Sequence, residues 1–314
     1  MGLNFNPING ANDIKGAINF AKDAASDFKG AMNGAKNVGS SPTPGISSQL
    51  QSNTELYNTS GPNANEPSLS DIHQAGYGDC YFLASVGALD QHDPNAVKNM
   101  IHDNGDGTYT VTFHVQNNGI HNGWGVFGDS YTTKQVTVSA SEISAKGANV
   151  DWNTVTDSNN GKLVIWPAVV EAAYAKMHDT KIFGHDFGIN SGYNNIGNGG
   201  NPQPVLENLT GQDAKSYSPS GAELNNLQSQ FDSGKLITVC TPESDGTQDG
   251  YNRKKYGNPY GLIGDHVYTV TNVYIGSNGQ EYVTLNNPWG FDQPRDIPLS
   301  DLPRVINGIE VGIA

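Results

Sequence analysis

The stretch HQAGYGDCYFLASVGAL, His73–Leu89, carries one of only two cysteines in 314 residues. A Gly-rich turn precedes Cys80, and a run that is apolar on most faces continues from it to Leu89. This pattern predicts a turn feeding a central buried helix with the thiol at its start. There the thiol feels the positive end of the helix dipole, which favours the nucleophilic thiolate. A buried, inert cysteine fits the same local pattern. The decision therefore rests on whether the rest of the chain supplies a base.

His266 is the candidate. In GLIGDHVYTVT (Gly261–Thr271) it opens an alternating strand after a Gly-rich loop, which predicts an imidazole at a sheet edge rather than in a core. A catalytic imidazole needs an orienting group on its other nitrogen. Asn287, in VTLNNPWG (Val283–Gly290), ends the next predicted strand, and the turn GSNGQ (Gly276–Gln280) folds the two strands into a hairpin. That hairpin brings residues 266 and 287 together, with Trp289 placed to roof the contact. Read singly, Asn287 is a turn residue before Pro288.

Working outward, the chain divides into three parts. Residues 1–65 are rich in Ala, Gly, Asn and Ser, and Ile14, Ile18, Ala21, Ala25, Phe28 and Met32 recur at helical spacing, predicting one thin amphipathic helix over about 11–35. SSPTPGISS (Ser40–Ser48) reads as linker. These opening residues lack the basic start and apolar stretch of a Sec signal, so they read as a loosely docked or disordered leader, a prosegment, or an export signal of another kind. Residues 66–211 are expected to be mainly helical, and IWPAVVEAAYAKMHD predicts a second helix with Pro167 in its first turn. From 212 onward, a helix opened by the capping pair Ser220 and Glu223 and stopped at Gly234 precedes strands in KLITVCT, HVYTVTNVYI and EYVTLNN. Helices early and antiparallel strands late make the fold α+β.

Composition removes several functions. A net charge of −14 disfavours nucleic acid and anionic membranes as partners. No apolar run reaches the length of a membrane span. Phosphate-binding glycine motifs and CxxC or HExxH zinc spacings are absent. Two cysteines form no disulfide scaffold. Asp103 and Asp106 in DNGDGTYTVTFHV suggest a calcium loop, but their spacing misses DxDxDG and no Glu closes it, so a turn into the strand Tyr109–Val115 is expected. An acidic, Lys-poor, Asn/Gly/Ser/Thr-rich surface suits an exported protein and a cytosolic one alike.

QAGYGDCYFLASVGAL, WPAVVEAAYAKMHD, LENLTG, GDHVYTVT and LNNPWG resemble, in order and spacing, the core motifs of the calpain family of papain-like cysteine proteases. The resemblance covers about residues 66–314. It implies a two-lobed fold: a helical lobe with the nucleophile, and an antiparallel β-barrel lobe with His and Asn. It implies that Cys80 attacks the scissile carbonyl, that His266 holds the thiolate as an ion pair and then protonates the leaving amine, that Asn287 orients the imidazole, and that Gln74 donates to the oxyanion beside the Cys80 backbone N–H. Trp289 matches a tryptophan that moves when the family's cleft closes, and Gly211 a glycine that contacts substrate backbone. Asp71 and Glu171 fall at the places of one calcium site. After NPWG, however, FDQPRDIPLSDL replaces the acidic loop of the second. Tyr81 replaces the usual tryptophan, and Asp265 the glycine before the histidine. The expectation is a monomeric endopeptidase acting on proteins or peptides, with no required cofactor and calcium at one site at most. A papain-like acyltransferase and a non-catalytic binding protein are the rival readings.

Overall fold

The computed structural model describes residues 53–117, 130–143, 155–179, 181–182, 185–186, 189–219, 224–242 and 259–314. The expected leader helix, its linker and the Ser220–Glu223 capping pair lie outside the described residues. The chain forms two units, Met1–Pro44 and Gly45–Ala314, and all described residues belong to the second.

Along the chain come β1 (Thr54–Glu55), α1 (Cys80–His92), α2 (Pro94–Met100), β2 (Ile101–Asp103), β3 (Thr108–Gln116), β4 (Tyr131–Ser139), α3 (Ala140–Ile143), β5 (Leu163–Val164) and α4 (Trp166–Met177). The short pair β6 (Lys181–Ile182) and β7 (His185–Asp186) precedes α5 (Ile189–Ile196) and α6 (Pro202–Thr210). Then follow β8 (Lys215–Tyr217), α7 (Leu227–Asp232), β9 (Lys235–Cys240), β10 (Val267–Ile275), β11 (Glu281–Asn286), β12 (Ile297–Pro298) and β13 (Gly308–Ile313). Among the described residues no helix is long and apolar enough to cross a membrane.

α1 explains its own composition. Every residue from Cys80 to Asp90 is buried, because α4 and α6 cover one side and β9 and β10 the other. Gly87 allows this close approach: a Cβ there would lie 2.9 Å from Thr269 Oγ1 on β10 and closer still to Leu69. The Thr269 hydroxyl donates to Ala84 O at 2.7 Å, a buried bond between helix and sheet. On the far side, the rings of Phe82 and Tyr174 stack at 4.1 Å, fixing α1 against α4. The helix α1 thus joins two apolar cores. One is built from α1, α4, α6 and the β2–β3–β4 sheet, and the other from β9–β13 with α7.

The second core lies on a six-stranded sheet in the order β12–β11–β10–β9–β13–β8. Each pairing in it is antiparallel. Among the described residues this sheet is open, with β12 and β8 as separate edges, where a closed barrel was expected. The strand readings around it hold within a residue or two, and the expected helix before Gly234 is seen over Leu227–Asp232. β3 runs one residue further at each end than expected, and the turn before it is tied by Asp103 Oδ1 to Gly105 N (2.8 Å) and by Asp106 Oδ1 to Thr108 N (3.0 Å). The segment Thr54–Ser60 belongs to the body: β1 runs parallel to β5, and the Asp157 carboxylate accepts from Thr59 N at 2.8 Å and Ser60 Oγ at 2.7 Å.

Candidate active site

Cys80 is the first residue of α1, after Asp79 at the N-cap. Its sulfur is approached by the backbone N–H groups of Cys80 and Tyr81 and by that of Val267, the first residue of β10. The helix start thus addresses the thiol directly, as the sequence suggested, yet burial outweighs it. Only 5% of Cys80 is exposed, and desolvation pushes the thiol up to about 12, with the Asp79 charge adding to the rise. The resting group is therefore a thiol.

His266 immediately precedes Val267, so the bond from Val267 N–H brings the histidine's own strand start onto the cysteine. Thr241 clamps the histidine backbone from the end of β9. His266 N donates to Thr241 Oγ1 at 3.0 Å, and Thr241 N donates to His266 O at 2.9 Å. Asp265 before it takes a left-handed backbone (φ 50°), the conformation that a glycine at this position would adopt without strain. His266 Nε2 lies 2.8 Å from Asn287 Oδ1.

The asparagine's orientation decides the histidine tautomer. Asn287 Oδ1 also accepts from Trp289 N at 3.1 Å, while its Nδ2 donates to Asp292 O at 3.3 Å. Oδ1 can only accept, so Nε2 carries the hydrogen, and Nδ1 of the neutral ring holds the free lone pair. Gln293 pins the asparagine from both sides, accepting from Asn287 N at 2.8 Å and donating to Asn287 O at 3.2 Å. Trp289 lies over the pair, its ring 4.9 Å from the imidazole and tilted by 54°. Burial lowers the imidazole to about 4, against a smaller opposing effect of the Asn287 bond. Thiol and imidazole are thus both neutral at rest, and for the same reason.

Gln74 enters from the other direction. Its backbone N–H donates to Pro288 O at 2.7 Å, tying the segment before the nucleophile to the one after Asn287. Its side-chain amide donates to Tyr77 O at 2.6 Å and lies against the Asp79 carboxyl. Asp79 itself is fully buried and meets Glu171 of α4, and burial raises its carboxyl to about 7. Burial thus makes the Asp79 carboxyl hold its proton more tightly than an exposed one.

One expected residue stands elsewhere. Gly211 ends α6 in the left-handed conformation (φ 67°) and accommodates His114, whose ring would lie 2.7 Å from a Cβ. Its neighbours are a helix end and β3. The glycine beside the nucleophile is Gly200, where a Cβ would meet the Tyr81 ring at 2.6 Å. The chain reaches that position because Gly78 N donates to Gly197 O and Gly199 N to Gly78 O, at 3.1 and 3.0 Å.

The calcium candidates have separate partners. Asp71 Oδ2 accepts from Trp166 Nε1 at 2.8 Å and from Ser68 N at 3.1 Å, whereas Glu171 faces Asp79 and Tyr193. Trp166 and Glu171 are five positions apart on α4, about 140° around the helix. Among the described residues no three His, Cys, Asp or Glu side chains form a metal-binding group. Asp71 and Glu171 thus fall well short of the about six to eight oxygens that calcium takes, and no step below is routed through it.

A family model described as calpain family cysteine protease matches residues 47–295. That is most of the chain, and it includes Cys80, His266 and Asn287. The chain belongs to the calpain family. Among curated relatives, Calpain-13 of Rattus norvegicus is 23% identical over 231 residues, which cover 70% of this chain and 29% of that protein. The chain therefore spans less than a third of the length of this calpain relative. Family membership suggests cysteine peptidase activity.

Proposed function

We propose that the protein is a cysteine endopeptidase of papain-like, two-lobed organisation that hydrolyses peptide bonds in proteins or peptides. The His266–Asn287 bond, on a strand whose next residue addresses the Cys80 sulfur, carries this reading. It leaves Nδ1 unprotonated and available to the thiol.

The reaction follows from the neutral resting pair. As substrate enters, the Cys80 proton passes to His266 Nδ1 while sulfur attacks the carbonyl carbon. The oxyanion is held by the Cys80 backbone N–H and by Gln74, whose amide turns from Asp79 to the substrate oxygen. The C–N bond then breaks as the imidazolium returns its proton to the leaving amine, giving a thioester. Water attacks that thioester with His266 as base, releasing the acid and restoring the thiol. Asn287 holds the ring throughout, and Trp289 keeps water from the bond between them. The reaction is proposed to need no bound cofactor.

Digestion of a peptide library tests this. Wild-type protein is expected to cut internal bonds equally well with and without a calcium chelator, and His266→Ala to lower the rate by about 10²- to 10⁴-fold. An uncut library with peptide joined to an added amine would favour acyl transfer. Loss of cutting on chelation would restore a metal requirement.

A further inference from the structure

A cavity of about 410 Å³ is lined by Gly200, Asn201, Ser216, Cys240, Gly308 and Glu310, among others. Its position is fixed by the strands. Cys240 pairs across β9–β10 with Val267, whose N–H addresses the Cys80 sulfur, and across β9–β13 with Gly308. Gly200 packs on Tyr81, the residue after the nucleophile. The two sulfurs are close enough to interact electrostatically.

Glu310 is the unusual member of this lining. It is 4% exposed, in the middle of β13. Its carboxylate accepts from Ser216 Oγ at 3.2 Å, Thr238 Oγ1 at 3.4 Å and Cys240 Sγ at 3.3 Å, all of them neutral donors. Ion pairs among the described residues use other carboxylates: Glu66, Glu142 and Asp301. A buried carboxylate without a cation is costly, and such a group in a cavity marks a candidate functional site. Desolvation accordingly holds its carboxyl above the usual range. Gly308 keeps the approach open, since a Cβ there would lie 3.1 Å from Glu310 Oε1. The mechanism above uses neither Glu310 nor Cys240.

We propose that this cavity is a specificity subsite for a basic side chain of the substrate, arginine or lysine, next to the scissile bond, with Glu310 as its counter-charge. The proposal rests on the peptidase reading and names the substrate class that reading leaves open. Hydroxyls of Ser216 and Thr238 hold the carboxylate in place, and the cavity is wide enough for a guanidinium.

Peptides matched except for arginine or its neutral isostere citrulline, placed in turn from three residues before the cleaved bond to two after it, provide the test. In wild-type protein one position is expected to favour arginine in kcat/KM by about tenfold or more. In Glu310→Gln that ratio is expected to fall to near one. The ratio is internal to each protein, so partial unfolding of the variant cancels. Cleavage without arginine preference at any position, or a preference that survives Glu310→Gln, overturns the subsite and leaves the peptidase reading standing. Binding of the same peptides to Cys80→Ala, measured by calorimetry, separates the two claims. Tenfold tighter binding of the arginine peptide, with no hydrolysis by wild-type protein, supports the subsite and defeats the peptidase reading.

Discussion

Cys80→Ala is expected to abolish peptide hydrolysis, lowering kcat by about 10⁵- to 10⁶-fold, while the protein stays folded. The size of the loss follows from the chemistry: without sulfur there is no thioester, and the oxyanion donors and bound substrate alone give only residual catalysis. The fold survives because alanine keeps the Cβ at the start of α1 and removes one sulfur from an otherwise unchanged core. Cys240 cannot take over. Its thiol donates to Glu310 at 3.3 Å, and burial together with that carboxylate raises it further than Cys80. Single-turnover kinetics beside a thermal melt check both halves. Residual activity within tenfold of wild type, or loss explained by unfolding, contradicts the role given to Cys80.

The second large effect concerns stability and pH. Asp79 is an acid whose folded-state value, about 7, lies above the 3.8 of an unperturbed aspartate, chiefly through desolvation. The folded state therefore binds the proton more tightly than the unfolded chain. Asp79 favours folding below about pH 4, and that contribution is lost as pH rises through about 7. The full span is on the order of 4 kcal/mol as an upper figure. Buried His266 runs the opposite way: its folded value, about 4, lies below the 6.5 of an unperturbed histidine, so its contribution is lost as pH falls from about 6.5 towards 4. The wild-type profile mixes the two, and the difference between wild type and Asp79→Asn isolates the acid. Asparagine is uncharged at every pH and can donate to Glu171. The variant is expected to match wild type near pH 4 and to exceed it by several kcal/mol at pH 8, measured by urea denaturation. A difference independent of pH contradicts the raised Asp79 carboxyl. Removal of the Asp79 charge also takes away one of the effects raising the Cys80 thiol.

What could be read from sequence here was local or separated by a single hairpin. The start of α1 at Cys80 follows from a turn meeting an apolar run. The 266–287 contact follows from two strands and a five-residue turn, and the Trp289 roof from its place two residues on. What could not be read depends on distant partners. Whether the sheet closes is decided by β13, which inserts between β8 and β9 from the end of the chain and leaves β8 an edge. The Thr241 clamp and the Asp79–Glu171 pair join segments with no shared motif. Gly211 is a helix stop, a role its LTG context fits equally well, whereas Gly200 reaches the nucleophile through pairing of 197–199 with Gly78. The thiol's state was misjudged for a related reason. The helix-end field is a local property, but burial on all sides by α4, α6, β9 and β10 is not.

The most direct measurement is active-site labelling with an epoxysuccinyl peptide, read by mass spectrometry on wild-type protein and on His266→Ala. One adduct per chain is expected, on the peptide containing Cys80 and not on that containing Cys240, with labelling slowed strongly in His266→Ala because the epoxide oxygen then lacks its proton donor. Labelling at Cys240, or labelling of Cys80 at the same rate with and without His266, would contradict the Cys80–His266 pair on which the account is built.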